Sequence, residues 1–288
     1  CIRDRFNSYA DDYYQEAVEK GFALGRVLGK RLQIRNEEKI LKHTRQDAGK
    51  IDRRLISSLG YDVTNVFSKL SVDKYNKGYI HISVDASGSM QGEKFYNAIK
   101  TTVAIAVACK MVNNLECAIS FRTTTSELPI VCMGYDSTKD ELVHIRKYFP
   151  LFLANGTTPE SLCYEVMMQK AFPKVNTANN ENFYFVNFSD GEPYYSGKSD
   201  KGSSISYSGS PAYRHCKRMI DKLVNDFSAT IISYFIDDRD STVCSDSFKK
   251  MYGANNCFAI NTDNVQQIAT VMNRKFLEHD TLHNNRSK

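Results

Sequence analysis

The chain has 288 residues, of which 42% are hydrophobic and 25% charged, and its formal net charge is +5. This length and composition suit one sizeable globular core plus an extension. The sequence contains no run of about eighteen apolar residues, so no membrane-spanning helix is predicted. The eight cysteines form no C-x-x-C pair, and several of them, such as Cys109 and Cys163, are interpreted as buried thiols, which predicts a cytoplasmic protein.

Residues 1–60 are predicted to form a basic, mainly helical extension. Apolar side chains at four- or seven-residue spacing predict a helix over residues 8–42, and Asp52 is expected to begin a second, short helix. From Arg26 to Arg54, ten Lys or Arg accompany four Asp or Glu, so this segment alone carries a charge of +6. Its basic side chains are interpreted as a solvated helix face, with a nucleic-acid or acidic-partner patch as the alternative.

Residues 61–280 are predicted to form the main domain, with residues 281–288 as a polar tail. Strands at 66–72 and 79–84 flank a short turn, and they are expected to pair as an antiparallel hairpin. Strands and helices then alternate as far as a last helix predicted over residues 263–278. This alternation predicts an α/β fold whose mostly parallel sheet carries helices on both faces.

Oxygen-bearing side chains follow the strand within Tyr79–Met90, which reads YIHISVDASGSM. Asp85, Ser87 and Ser89 place one carboxylate and two hydroxyls at alternate positions of the turn after this strand. Short oxygen side chains with no cysteine or histidine among them suit a hard cation such as Mg or Ca rather than zinc. The pattern predicts a metal site, although the same residue types often cap a helix.

Two further segments offer oxygens downstream. The sequence NGTTPE at 155–160 predicts a loop that opens a helix, with Pro159 at the first helical position. The sequence FYFVNFSDGEP at 183–193 predicts a buried strand that ends at Ser189-Asp190-Gly191. Because ligands of such sheets bind at the carboxyl ends of parallel strands, the positions of Asp85 and Asp190 at two strand ends agree with a metal site that these segments could share. The alternative is that they cap a helix and close a turn.

Together the three motifs resemble the complete metal ion-dependent adhesion site (MIDAS) of von Willebrand factor A (VWA) domains. The resemblance implies a Rossmann-like, doubly wound domain that binds Mg, or Mn or Ca in its place. It implies that Ser87, Ser89 and Thr158 contact this cation. It also implies that Asp85 and Asp190 contact the cation directly or through water.

The segment before the main domain is similar to another family. Together with the preceding basic helix, it resembles the region that precedes the VWA domain in the CobT-type subunit of aerobic cobaltochelatase. The residues that carry this similarity are Gly49, Ile51, Asp52 and Leu55, after Arg31-Leu32-Gln33. The similarity implies an intracellular AAA+ ATPase partner of the MoxR or CobS type. The basic helix, with Arg31 and Arg35, would then be a second contact surface.

The predicted function is a non-catalytic, Mg-dependent module that binds other proteins. Two aspartates at most offset the dication, and the family's loop geometry leaves a coordination position that an acidic side chain of a partner would fill. Thr158 is preferred over Thr157 as a ligand because the family threonine commonly sits just before a proline. The candidate partner-binding residues beside this position are Thr157, Glu192, Tyr194 and Tyr195. A nucleic-acid-binding protein that uses the basic segment and a metal-dependent hydrolase are the two alternatives.

Overall fold

A computed structural model describes residues 8–33, 39–61, 64–73, 77–112, 115–125, 128–172, 182–198, 204–236, 244–260, 270–271 and 274. The helices are α1 (Ser8–Gln33), α2 (Glu93–Met111), α3 (Leu142–Tyr148), α4 (Glu160–Lys170), α5 (Gly209–Phe227) and α6 (Asp246–Tyr252). The strands are β1 (Lys39–Gln46), β2 (Lys50–Ile51), β3 (Phe67–Asp73), β4 (Gly78–Asp85), β5 (Leu115–Thr125), β6 (Leu128–Asp136), β7 (Asn182–Ser189), β8 (Tyr195–Lys198), β9 (Ser204–Tyr207), β10 (Thr230–Ile236) and β11 (Cys257–Ile260).

Six strands form the central sheet, in the order β11-β10-β7-β4-β5-β6. Neighbouring strands run parallel except for β5 and β6, which run antiparallel. The central strands β4 and β7 are buried along their whole length apart from the half-buried Tyr79, as expected for strands covered on both faces. The predicted α/β fold with a mostly parallel sheet is therefore confirmed.

Side chains of the central strands alternate between two hydrophobic clusters, one on each face of the sheet. On one face, Ile80, Ile82 and Val84 of β4 pack with residues of α1, α2 and α3. On the other face, Phe183 and Phe185 of β7 pack with residues of α4, α5 and α6. Successive strand residues point to opposite faces, so both faces of the sheet are apolar. Helices cover both of these faces, as predicted.

Helix α1 lies directly along α2, and three glycines at four-residue spacing form the contact. A Cβ atom added at Gly21 would lie 2.8 Å from Cβ of Val103, and one added at Gly25 would lie 2.6 Å from Cβ of Val107. Gly29, one turn further, is equally close to α2. Residues four apart share one helix face, so this stripe lets α1 join the hydrophobic cluster that covers the sheet.

The segment after α1 corrects the sequence prediction. The helix predicted over residues 8–42 ends at Gln33, and residues 39–46 form strand β1 instead. Strand β1 pairs antiparallel with β3, which gives its backbone groups hydrogen-bond partners more than twenty residues away in the sequence. A 3-10 helix at Ile56–Tyr61 stands where a short helix beginning at Asp52 was expected.

The hairpin predicted from the strands at 66–72 and 79–84 is wrong. Strand β3 pairs with β1 and β2 in a separate three-stranded antiparallel sheet. Strand β4 cannot pair with β3 because both of its edges are taken, one by β5 and the other by β7.

Part of the predicted organisation lies outside the described residues. Of the last helix predicted over residues 263–278, Thr270, Val271 and Arg274 are described, and they are helical. The tail at 281–288 is not among the described residues. None of the described helices combines the length and the apolar character that a membrane crossing requires.

Candidate metal centre

Strands β4 and β7 end side by side at the carboxyl edge of the central sheet. They are parallel neighbours, with Val84 opposite Phe188, so Asp85 and Asp190 leave the sheet at the same edge. The hydroxyl of Ser189 donates to Asp85 Oδ2 at 3.1 Å and joins the two strand ends directly. This is the edge at which the sequence predicted the oxygen side chains to meet.

A chain of hydrogen bonds joins the motif after β4 to the motif after β7. Asp85 Oδ1 accepts the backbone N–H of Ser87 at 2.9 Å, and the hydroxyls of Ser87 and Ser89 are 3.0 Å apart. Ser89 Oγ in turn donates to Asp190 Oδ1 at 2.9 Å, across 101 residues of sequence. Asp85 and Ser87 are buried whereas Ser89 is exposed, so the cluster opens to solvent on the Ser89 side.

The loop that carries Thr158 is attached to both of these motifs through the backbone. The N–H of Gly88 donates to the carbonyl of Gly156 at 2.9 Å. Thr158 exchanges two backbone hydrogen bonds, each 3.0 Å long, with Tyr194, which follows the motif after β7. All three predicted motifs therefore lie together at one edge of the sheet.

The two neighbouring threonines of this loop differ in their contacts. The hydroxyl of Thr157 lies 3.1 Å from the hydroxyl of Thr124, a residue of β5. The Thr124 hydroxyl also accepts the backbone N–H of Thr157 at 2.8 Å. Thr158 is 6% exposed. The loop approaches β5 closely at Gly156, whose φ is +86° and where an added Cβ would lie 2.6 Å from the carbonyl oxygen of Thr124. The loop's path thus requires glycine at this position.

Sequence analysis missed Lys94, which lies in the first turn of α2. Its Nζ donates to Asp190 Oδ2 at 2.9 Å and lies 3.4 Å from the carbonyl oxygen of Ser89. The side chains of this ion pair are 14% and 5% exposed, so water screens the pair only weakly. A lysine in the first turn of a helix opposes the helix dipole, and this unfavourable placement is the signal that would have pointed to a nearby acid.

A second group that sequence analysis missed is a buried ionic cluster beside Asp85. Arg122 Nη2 lies 3.1 Å from Glu160 Oε1 and 3.9 Å from Asp85 Oδ2, and none of these three side chains is exposed. Burial raises the pKa of Asp85 to about 7; the nearby Arg122 opposes this rise and Glu160 adds to it. The available signal was Arg122 itself, a charge directly after the mostly apolar sequence LECAISF at 115–121.

The carboxylate of Glu160 collects donors from several elements. Besides the guanidinium of Arg122, it accepts hydrogen bonds from the hydroxyl of Tyr164 at 2.9 Å and from the amide of Asn187 at 3.4 Å. The hydroxyl of Tyr252, on α6, also donates to it. Glu160 begins α4 two residues after Thr158, so these contacts fix the end of the Thr158 loop to the sheet and to α6.

The residues predicted to bind a partner differ in accessibility. Tyr194 is 53% exposed and Tyr195 is 5% exposed, so of these two rings only that of Tyr194 is presented at the surface. Glu192 is exposed and hydrogen-bonds to Tyr213. Arg31 lies in α1, but its side chain is outside the described part of the structure, as is the whole of Arg35.

The donor set fits a small, hard cation. The oxygens of Ser87, Ser89 and Asp190 follow one another at 3.0 and 2.9 Å. These are hydrogen-bond distances, and hydroxyl and carboxylate oxygens gathered in this way are the donor type that hard cations such as Mg and Ca prefer. Among the described residues, no group of three or more His, Cys, Asp or Glu could hold a metal ion.

Comparison with solved structures shows which class of fold this is. The vWF domain of the type V pili tip protein Mfa5 from Porphyromonas gingivalis is similar with a TM-score of 0.50 and 12% identity, over 71% of this chain and 97% of that one. A mutant of the PilB minor pilin from Streptococcus sanguinis is similar with a TM-score of 0.50 and 10% identity, over 70% of this chain and 62% of that one. No protein-family model matches the chain, and neither does any curated protein. The chain therefore has a von Willebrand factor A-like fold, and the likeness concerns the fold alone.

Proposed function

We propose that this chain is a non-catalytic protein-binding module in which Asp85, Ser87, Ser89, Thr158 and Asp190 form a MIDAS. The observation that carries the proposal is the 2.9 Å contact between Ser89 Oγ and Asp190 Oδ1. It brings two of the predicted ligand motifs together at a solvent-facing edge of the sheet, where α/β proteins bind ligands. Mg is the proposed cation, with Mn or Ca as substitutes.

The proposed ligands divide into neutral hydroxyls and acids. Ser87, Ser89 and Thr158 add no charge, and Asp85 and Asp190 add two negative charges at most. We favour Thr158 over Thr157 because the hydroxyl of Thr157 is engaged by Thr124. When bound, the cation would supply a positive position at the surface that accepts an oxygen ligand. An acidic side chain of a partner protein suits this position by both charge and coordination.

Titration calorimetry with MgCl₂ and MnCl₂ tests the metal site directly. We expect one cation to bind per chain and binding to be lost in the double variant Ser87→Ala, Ser89→Ala. Ser57→Ala is the matched control because Ser57 is exposed in the 3-10 helix beside the small sheet. Wild-type protein that binds neither cation would overturn the proposal, as would a double variant that binds like the control.

The partner proposed for this module is an AAA+ ATPase of the MoxR or CobS type, in a cytoplasmic setting. The proposal comes from the sequence similarity of residues 49–55 to the CobT-type subunit. Affinity capture from the native source, in Mg and in chelator, tests it. We expect an AAA+ protein in the Mg eluate that is absent with chelator and absent with the double variant. An AAA+ protein retained equally in both eluates would contradict cation-dependent docking.

A second candidate function, nucleic-acid binding, is favoured by one observation. Four basic side chains, Lys50, Arg53, Arg54 and Lys69, are exposed on or beside the small sheet formed by β1, β3 and β2. Phosphate contacts made by such side chains would give binding that weakens steeply as salt rises and needs no Mg. Filter binding of single-stranded RNA and DNA across salt concentrations, with and without chelator, separates this candidate from the first.

A further inference from the structure

The starting observation is the ion pair between Lys94 and Asp190. Lys94 Nζ lies 2.9 Å from Asp190 Oδ2, while the other carboxylate oxygen, Oδ1, accepts the hydroxyl of Ser89. The two side chains of the pair are 14% and 5% exposed. One carboxylate thus faces the proposed ligand hydroxyls with one oxygen and a protein ammonium with the other.

The position of Lys94 makes it a competitor for this carboxylate. Its ammonium also lies 3.4 Å from the carbonyl oxygen of Ser89. It therefore contacts oxygens of both Ser89 and Asp190, two residues of the proposed site. A dication coordinated by Asp190 would stand within a few ångströms of the ammonium, and like charges at such a distance repel strongly where water is scarce. The ammonium and the dication are therefore alternative counter-charges for the same acid.

We propose that Lys94 is an internal counter-cation of the candidate metal centre: it neutralises Asp190 in the metal-free protein and is displaced from it when a divalent cation binds. This inference rests on the proposed function and adds a residue that sets the affinity of the site. Lys94 lowers that affinity because each binding event breaks its ion pair. It also keeps Asp190 paired beside the buried Asp85 while no metal is present.

Three single variants test the inference by calorimetric titration with MgCl₂ and MnCl₂. Lys94→Met keeps most of the side chain's length but removes its charge, and we expect it to bind the cation about tenfold more tightly than wild type, or better. Lys94→Arg keeps the charge and is expected to bind like wild type. Lys110→Met removes the same charge from an exposed position in the last turn of the same helix and is the matched control.

A thermal-unfolding measurement supplies a second readout that does not depend on binding heats. In chelator, Lys94→Met is expected to melt below wild type because Asp190 has lost its counter-charge. Saturating Mg should remove this difference, so the rise in melting temperature on adding Mg should be larger for Lys94→Met than for wild type. If Lys94→Met does not fold, Lys94→Gln serves in its place.

The outcomes separate this inference from the proposed function. Wild type that binds the cation while Lys94→Met binds it equally or more weakly would overturn the inference and leave the metal site standing. If the cation binds neither wild type nor Lys94→Met, both the inference and the proposed metal site are overturned. Tighter binding in Lys94→Met, with Lys94→Arg and Lys110→Met unchanged, supports the inference.

Discussion

The guanidinium of Arg122 lies 3.1 Å from the carboxylate of Glu160, and both side chains are fully buried. The same guanidinium donates to the hydroxyl of Ser83 at 2.8 Å and to the carbonyl of Phe188 at 3.2 Å. The buried charge of Arg122, a residue of β5, therefore contacts β4, β7 and the start of α4. Because α4 begins two residues after Thr158, this pair sets where the Thr158 loop joins the rest of the candidate centre.

Replacing Glu160 with Gln should destabilise the protein strongly. The substitution keeps the shape of the side chain but removes the closer of the two buried carboxylates that face Arg122. Breaking a buried ion pair in this way typically lowers the free energy of unfolding by about 3–5 kcal/mol. Urea unfolding measures the effect. Glu165→Gln is the control, because Glu165 is exposed on the same helix. A free energy of unfolding within about 1 kcal/mol of wild type would contradict the importance of the pair.

Gly156→Ala tests the path of the Thr158 loop. The new Cβ would lie 2.6 Å from the carbonyl oxygen of Thr124, and alanine rarely adopts the φ of +86° found there. We expect a loss of about 1–3 kcal/mol in the free energy of unfolding and weaker cation binding, because the loop must move away from β5. Gly60→Ala is the control, since no neighbouring heavy atom lies within 4 Å of its added Cβ. Unchanged stability and cation affinity would show that the loop does not need glycine.

Gly25→Val tests the contact between α1 and α2. Even a Cβ at this position would lie 2.6 Å from Cβ of Val107, so the two helices must separate. Overpacking of this kind typically lowers the free energy of unfolding by about 1–3 kcal/mol. Val27→Ala, at an exposed position of the same helix, should change it by less than about 0.5 kcal/mol. Equal unfolding midpoints for the two variants would mean that α1 is not firmly docked.

His81 should make stability depend on pH. Its ring is fully buried with Nε2 2.9 Å from the hydroxyl of Ser120, and burial lowers the pKa of His81 from 6.5 to about 3. The unfolded chain therefore binds the proton more readily, and stability is lost as pH falls from about 6.5 towards 3. By pH 5 the loss from this residue is about 2 kcal/mol.

Urea unfolding at pH 7 and pH 5 measures the contribution of His81. His81→Gln cannot take up the proton, so the stability of wild type relative to His81→Gln should fall by about 2 kcal/mol between pH 7 and pH 5. His144→Gln, at an exposed position of α3, should behave like wild type. An equal fall in His81→Gln and wild type would show that the buried ring does not carry the pH dependence.

The sequence was sufficient to predict where the oxygen side chains meet, because parallel strands align their carboxyl ends. An apolar strand followed by Asp85 and another followed by Asp190 therefore place both acids at one edge of the sheet, and they are close there because β4 and β7 are neighbours. The hairpin prediction failed for a related reason. Short separation along the chain favours pairing, but whether β4 has a free edge depends on β5 and β7, which follow it in the sequence.

The positions of Lys94 and Arg122 hint at acidic neighbours, but the sequence does not say which acids they are because the partners are remote. Arg122 and Glu160 are 38 residues apart, and Lys94 and Asp190 are 96 apart. Only the fold identifies Glu160 as the partner of Arg122 and Asp190 as the partner of Lys94. The same holds for β1, where weak helical spacing is overridden by the hydrogen bonds that β3 offers.

The glycine stripe of α1 has a practical consequence for work with shortened forms of the protein. A recombinant fragment trimmed to begin at β4 would retain every proposed ligand but would strip the cover from α2. Val103 and Val107, both buried in the intact fold, would then form part of an exposed apolar strip that invites aggregation. Expression for crystallisation or binding assays should therefore start no later than Ser8.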